Sequence, residues 1–101
     1  MTDLMTGEFT PIGEVRWRDR VRVSGRVRSM RVQPWSGVGS LECTIVDDTG
    51  GLTLVFLGRS SIGGIRLGTR LVAEGTVAAS RDRLAILNPV YELLLHDDQA
   101  H

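Results

Sequence analysis

From Arg20 to Arg28 the residues alternate without a break. Val21, Val23, Gly25 and Val27 fall on one face, and Arg20, Arg22, Ser24, Arg26 and Arg28 fall on the other. A period of two, with valine on one side and arginine on the other, predicts a half-buried strand and argues against a helix here. Gly25 interrupts the valine face at its middle. A missing side chain there permits a sharp bend or a close backbone approach, as at the corner of a barrel. With 101 residues the chain suits one compact domain and not two. A domain of this length buries roughly 65% of its unfolded surface, enough for a core without staples. The single cysteine, Cys43, allows no internal disulfide, and it alternates with Leu41 and Ile45 as a small buried hydrophobe does.

Strand signals recur down the chain. Residues 1–11 are polar, contain Pro11 and read as a loose arm ahead of a domain over 12–93. Gln33-Pro34-Trp35-Ser36-Gly37-Val38-Gly39-Ser40 reads as a Pro/Gly/Ser loop carrying an exposed tryptophan. Leu41–Val46 alternates again, and Asp47-Asp48-Thr49-Gly50-Gly51 is a hairpin turn into the apolar run Leu52–Leu57. Gly58–Arg66 allows at most a short helical turn. Arg70–Val77 predicts a fourth strand, residues 79–83 a basic hairpin, and Leu84–Leu93 a fifth strand crossed by Asn88-Pro89. Trp17 is expected to plug one end of the barrel, Phe56 to sit in the core, and residues 94–101 to form an acidic tail. The fold class is all-β: five strands, with a short helical turn between the third and fourth.

Composition removes most catalytic kits. There is no lysine against twelve arginines, a bias that suits a GC-rich genome. Without lysine, P-loop and Schiff-base chemistry disappear, and Ser60-Ser61-Ile62-Gly63-Gly64 is a phosphate loop in outline alone. Both histidines, His96 and His101, lie in the last six residues, so histidine triads and Cys/His zinc sites are not expected. No constellation for hydrolysis is found. Nothing resembles a signal peptide or an apolar span, so a cytoplasmic location and no membrane partner are expected. Net charge is zero, yet residues 15–31 hold seven arginines against Asp19 alone, while both ends are acidic. That distribution bears more on phosphate contact than the total does.

Several segments resemble nucleic-acid-binding OB domains. Val21-Arg22-Val23-Ser24-Gly25-Arg26-Val27 is similar to their V-x-V-x-G-x-V first strand. Ile45-Val46-Asp47-Asp48-Thr49-Gly50-Gly51-Leu52 resembles their D-x-T-G exit from strand two, and Leu67–Val77 resembles their fourth strand. Asn88-Pro89-Val90-Tyr91-Glu92 is similar to the strand-five ending of the wedge domain in branch-migration helicases. The whole chain resembles a small stand-alone OB protein of actinobacteria and the tRNA-anticodon-type OB family. The resemblance implies a five-stranded Greek-key barrel that binds oligonucleotides across strands two and three and the loops joining strands one–two and four–five.

Under that reading the contact residues are Arg26, Arg28 and Arg31, Trp35 in the first loop, and Arg81 and Arg83 in the second. Arginine offers a planar fork to phosphate and a face to bases. The opposing expectation is a solvated face whose arginines pair with Glu42, Glu74 and Asp82. Trp35 is either a stacking platform or an anchor folded back on the barrel. The expected activity is non-enzymatic binding of single-stranded DNA or RNA with low sequence specificity, without cofactor, metal or small-molecule substrate. The alternative is docking of a protein partner through strand three, with Val55 and Leu57 turned outward.

Overall fold

A computed structural model describes residues 8–35, 37–80 and 83–94, with Trp35 and Ser80 followed along the backbone alone. A 3-10 turn at Ile12–Glu14 precedes six strands: β1 Arg20–Trp35, β2 Val38–Val46, β3 Gly51–Leu57, β4 Arg70–Ser80, β5 Arg83–Leu87 and β6 Val90–Leu93. β1 pairs with β2, β2 with β3, β3 with β5 in parallel, β5 with β4, and β4 returns to β1. That closed ring of five is the OB-type barrel.

One strand pairs with two different neighbours, and its residues say how. Arg20–Arg26 runs against β4, while Arg26–Trp35 runs against β2. The handover falls beside Gly25, where an added Cβ would stand 2.9 Å from the Val46 carbonyl oxygen. Any side chain there would force the two backbones apart. Inward positions of every strand meet in one core: Val21, Val23 and Val27, Leu41, Cys43 and Ile45, Leu52, Leu54 and Phe56, Leu71, Val77 and Ile86. Full burial of one such side chain contributes about 1.5–3 kcal/mol. Phe56 packs edge-on to Tyr91 with ring centroids 5.6 Å apart. Burial pushes the Cys43 thiol up to about 11, so it stays protonated and inert at neutral pH.

The barrel is sealed by a residue other than the expected one. Ile12 enters the core at the β2–β3 end, and Trp17 stands 56% exposed. The reason lies in the turn after β2. One Asp47 carboxylate oxygen accepts the Thr49 N–H and hydroxyl and the Gly50 N–H; the other accepts the Ile12 N–H at 2.9 Å. Gly13 N–H donates to the Thr49 hydroxyl at 2.8 Å. The turn thus grips the 3-10 segment and presses Ile12 inward. Partial burial would raise the Asp47 carboxyl, but these hydrogen bonds outweigh it and hold the group below its ordinary value of 3.8.

Four boundaries differ from the sequence reading. In place of a loop over 79–83, β4 runs on to Ser80 and β5 begins at Arg83, with Ser80 opposite Arg83. The 33–40 segment is mainly strand, with Trp35 opposite Val38 and Gly37 at φ 85° between them. Pro34 is tolerated because the Gly39 carbonyl is engaged by Gly58 N–H on the β3 side, so the Pro34–Gly39 rung needs no N–H from proline. The fifth strand is split. Residues 87–89 oppose the two residues Gly75 and Thr76 of β4, a one-residue slip between β5 and β6. Asn88, at φ 49°, makes the break: its N–H donates to the Val55 carbonyl and its Oδ1 accepts the Leu57 N–H. Finally, the helical element lies ahead of β1, whereas the β3–β4 connection makes turns at Ile62–Ile65 and Arg66–Thr69.

Candidate functional site

Simple alternation would place Arg26 and Arg28 on one face of β1 and Arg31 on the other. A bulge removes that conflict. Val27 faces Ile45 and Ser29 faces Thr44, so Arg28 is an extra residue on β1. Beyond it the parity reverses: Met30 turns toward the core opposite Cys43, and Arg31 turns outward opposite Glu42. Arg26, Arg28 and Arg31 are exposed on the same outer face.

Two further arginines join this row from another part of the chain. Arg70 is the direct cross-strand partner of Arg26. The turn before it is tied to β1 at Val27, which donates to the Thr69 carbonyl and accepts from Gly68 N–H at 2.8 and 2.9 Å. Arg66 begins that turn. Like charges set directly opposite on neighbouring strands repel, and Arg26, Arg28 and Arg66 make no ion pair among the described residues. The corner is therefore a concentration of positive charge held by backbone hydrogen bonds. Beside it lies a cleft of about 290 Å³ lined by Ser24, Arg26, Asp48 and Arg70 among others. Sequence reasoning overlooked Arg66 and Arg70. Their signal is the pair of arginines bracketing Leu67-Gly68-Thr69 at the entry to β4.

Arg83, expected among the phosphate contacts, is committed elsewhere. Its guanidinium grips Glu42 with two bonds of 3.1 and 3.0 Å, and Glu42 is 3% exposed at the centre of the β2 outer face. Arg31 approaches the same carboxylate at 3.8 Å while staying mostly in solvent. A buried carboxylate needs such partners. Glu42 thereby links the β1–β2 hairpin to the β4–β5 hairpin. On the β1–β4 face, Arg20 and Arg22 approach Glu74 at 3.4 and 3.6 Å. The expected pairing of arginines with Glu42 and Glu74 is thus present, and it spares Arg26 and Arg28; Asp82, the third expected partner, lies outside the described residues.

Trp35 closes β1 at the hairpin tip and is no loop residue; its side chain, like the whole of Arg81, lies outside what is described. Val55 and Leu57 face outward as expected, but they form no open apolar patch. Val55 is fully buried in a second cluster with Ala85, flanked by Leu57 and Leu87.

The structure of the chain is similar to the solution structure of a replication factor A related protein from Methanobacterium thermoautotrophicum. The TM-score is 0.65 at 18% identity, over 94% of this chain and 96% of that one. This likeness supports the barrel topology. The sequence matches no protein-family model and no curated protein.

Proposed function

We propose that this protein is a non-enzymatic OB-fold module that binds single-stranded nucleic acid with low sequence specificity. The observation that carries the reading is the bulge at Arg28. It turns Arg26, Arg28 and Arg31 into one outward row and sets that row against Arg66 and Arg70. Phosphate contacts position a strand without reading its bases, so a surface built of guanidinium groups selects charge and shape over sequence. The Methanobacterium protein is named for its relation to a replication factor, which is in keeping with this role. Docking of a protein partner through strand three is less favoured, because Val55, one of its two expected contacts, is already covered.

Anisotropy titrations with labelled oligothymidylate, an RNA of equal length and a duplex, each over a salt series, test the proposal. Single-strand affinity should fall with log salt at a slope of about −0.7 per phosphate contact. Replacing Arg26 and Arg28 together by Gln should flatten that slope by about 1.4 and leave the melting temperature nearly unchanged. The same exchange at Arg20 and Arg22, which face Glu74, should leave the slope in place. An unchanged slope in the Arg26/Arg28 variant would reduce the row to a solvated face.

A further inference from the structure

Trp17 carries a second site. The core does not need it, since Ile12 seals the barrel, and the indole stands 56% exposed. It is nevertheless held in place. The Arg18 guanidinium lies 4.2 Å from the centre of the indole ring system, over one of its faces. Arg18 itself adopts φ 79°, the left-handed region that non-glycine residues enter at a cost. The surrounding backbone enforces this conformation. Arg18 N–H donates to the Val77 carbonyl, and Val77 N–H donates to the Asp19 carbonyl, both at 2.8 Å. A strained turn stitched to β4 thus displays an aromatic ring. Its neighbour in the chain, Arg16, lines a cleft of about 590 Å³ together with Gly13, Glu14, Val15 and Asp19.

We propose that Trp17, with Arg16 and Arg18, forms a base-stacking platform at the far end of β1 from the basic corner; this rests on the single-strand reading above. The chemistry on display is an exposed ring with one guanidinium on its face, and a second arginine, Arg16, next to it in the chain. Its natural ligand is a flat apolar face joined to an anion, which describes a nucleotide. Stacking is tolerant of base identity. The carboxylates of Glu14 and Asp19 lie in the same cleft and offer acceptors to base N–H groups. Arg20 and Arg26 are six residues apart in an extended strand, roughly 20 Å. The platform and the corner therefore need a strand of some length to be filled together, within the range of about 4–16 nucleotides that one OB barrel takes.

The experiment uses the Trp35→Phe protein, in which Trp17 is the sole tryptophan. It is titrated with oligothymidylates of about 4 and about 12 nucleotides, the two parts of the single-barrel range. Trp17 emission and the anisotropy of the labelled strand are read together. The expected result is quenching of Trp17 by the longer strand, saturating together with anisotropy, and little quenching by the shorter one. Trp17→Ala should weaken binding of the longer strand roughly tenfold with an unchanged salt slope, and Trp17→Tyr should restore most of it. Binding by anisotropy with silent Trp17 emission overturns the platform and leaves the proposed function standing. Absence of any salt-dependent binding overturns both. Loss in Trp17→Tyr equal to that in Trp17→Ala also overturns it, because a stacking ring would then be no better than none.

Discussion

The two halves of β1 share one pattern and differ in electrostatic outcome. Before Gly25, Arg20 and Arg22 look across to β4 and meet Glu74. After it, Arg26 looks across to Arg70, and Arg28 occupies a bulge with no partner strand residue of its own. The first half is regular throughout, and the second is interrupted once, at the Arg28 bulge. Alternation decides which side chains reach solvent; the neighbouring strand decides whether their charge is neutralised. A basic stripe read from sequence is therefore a list of candidates, and the fold selects among them.

The junction between the halves is where the comparison breaks most easily. Gly25→Val would drive a side chain into the Val46 carbonyl and the Ile45 side chain. It should lower stability by about 3 kcal/mol through overpacking, read as a shift of the urea midpoint. An unmoved midpoint would mean that the strand needs no close approach to change partners.

A smaller effect separates the two carboxylates that the arginines meet. Glu42→Gln leaves Arg83 without its charged partner beneath a buried face and should cost about 2 kcal/mol. Glu74→Gln, facing the exposed Arg20 and the mostly buried Arg22, should cost less, about 1 kcal/mol. Equal losses in chemical denaturation would show that burial does not distinguish the pairs.

A comparably small effect belongs to the turn that flanks the junction. Asp47→Asn should cost about 1 kcal/mol at neutral pH by weakening the grip on Ile12. The Asp47 carboxyl is held below 3.8 in the folded protein, so its contribution is complete above about pH 4 and fades as pH falls through the lowered value. The stability gap between wild type and variant should therefore close below about pH 4. A gap that persists in acid would assign the effect to shape instead of charge.

Much of the barrel was legible in the residues. Alternation located the first half of β1 and the body of β2; Asp47-Asp48-Thr49-Gly50 announced its turn; Gly25 marked the bend. What was hidden has physical causes. A bulge is one unpaired residue, and Arg28 looks like any other member of an alternating run until its partner strand is known. Pro34 and Gly37 punctuate a loop and a hairpin edge alike. Trp17 and Ile12 are both good barrel plugs by hydrophobicity, and the choice between them rests on hydrogen bonds from Asp47 and Thr49, thirty-five and thirty-six residues away. The charged corner was half visible because Arg26 and Arg28 are local in sequence, whereas Arg66 and Arg70 arrive through β4.

The shared strand also sets an order of assembly. The second half of β1 finds β2 across a tight hairpin, Trp35 beside Val38. The first half waits for β4, and its nearest rung joins Arg26 to Arg70. During synthesis at about 5–20 residues per second, that rung's partner emerges several seconds later. Pairings so distant along the chain form slowly even in the complete protein, typically over milliseconds to seconds. For that interval the valines of residues 21–27 lack their lasting cover, while the arginines between them keep the unfinished strand charged and soluble. The residues that the finished barrel neutralises with Glu74 are thus the ones that guard it while it is still open.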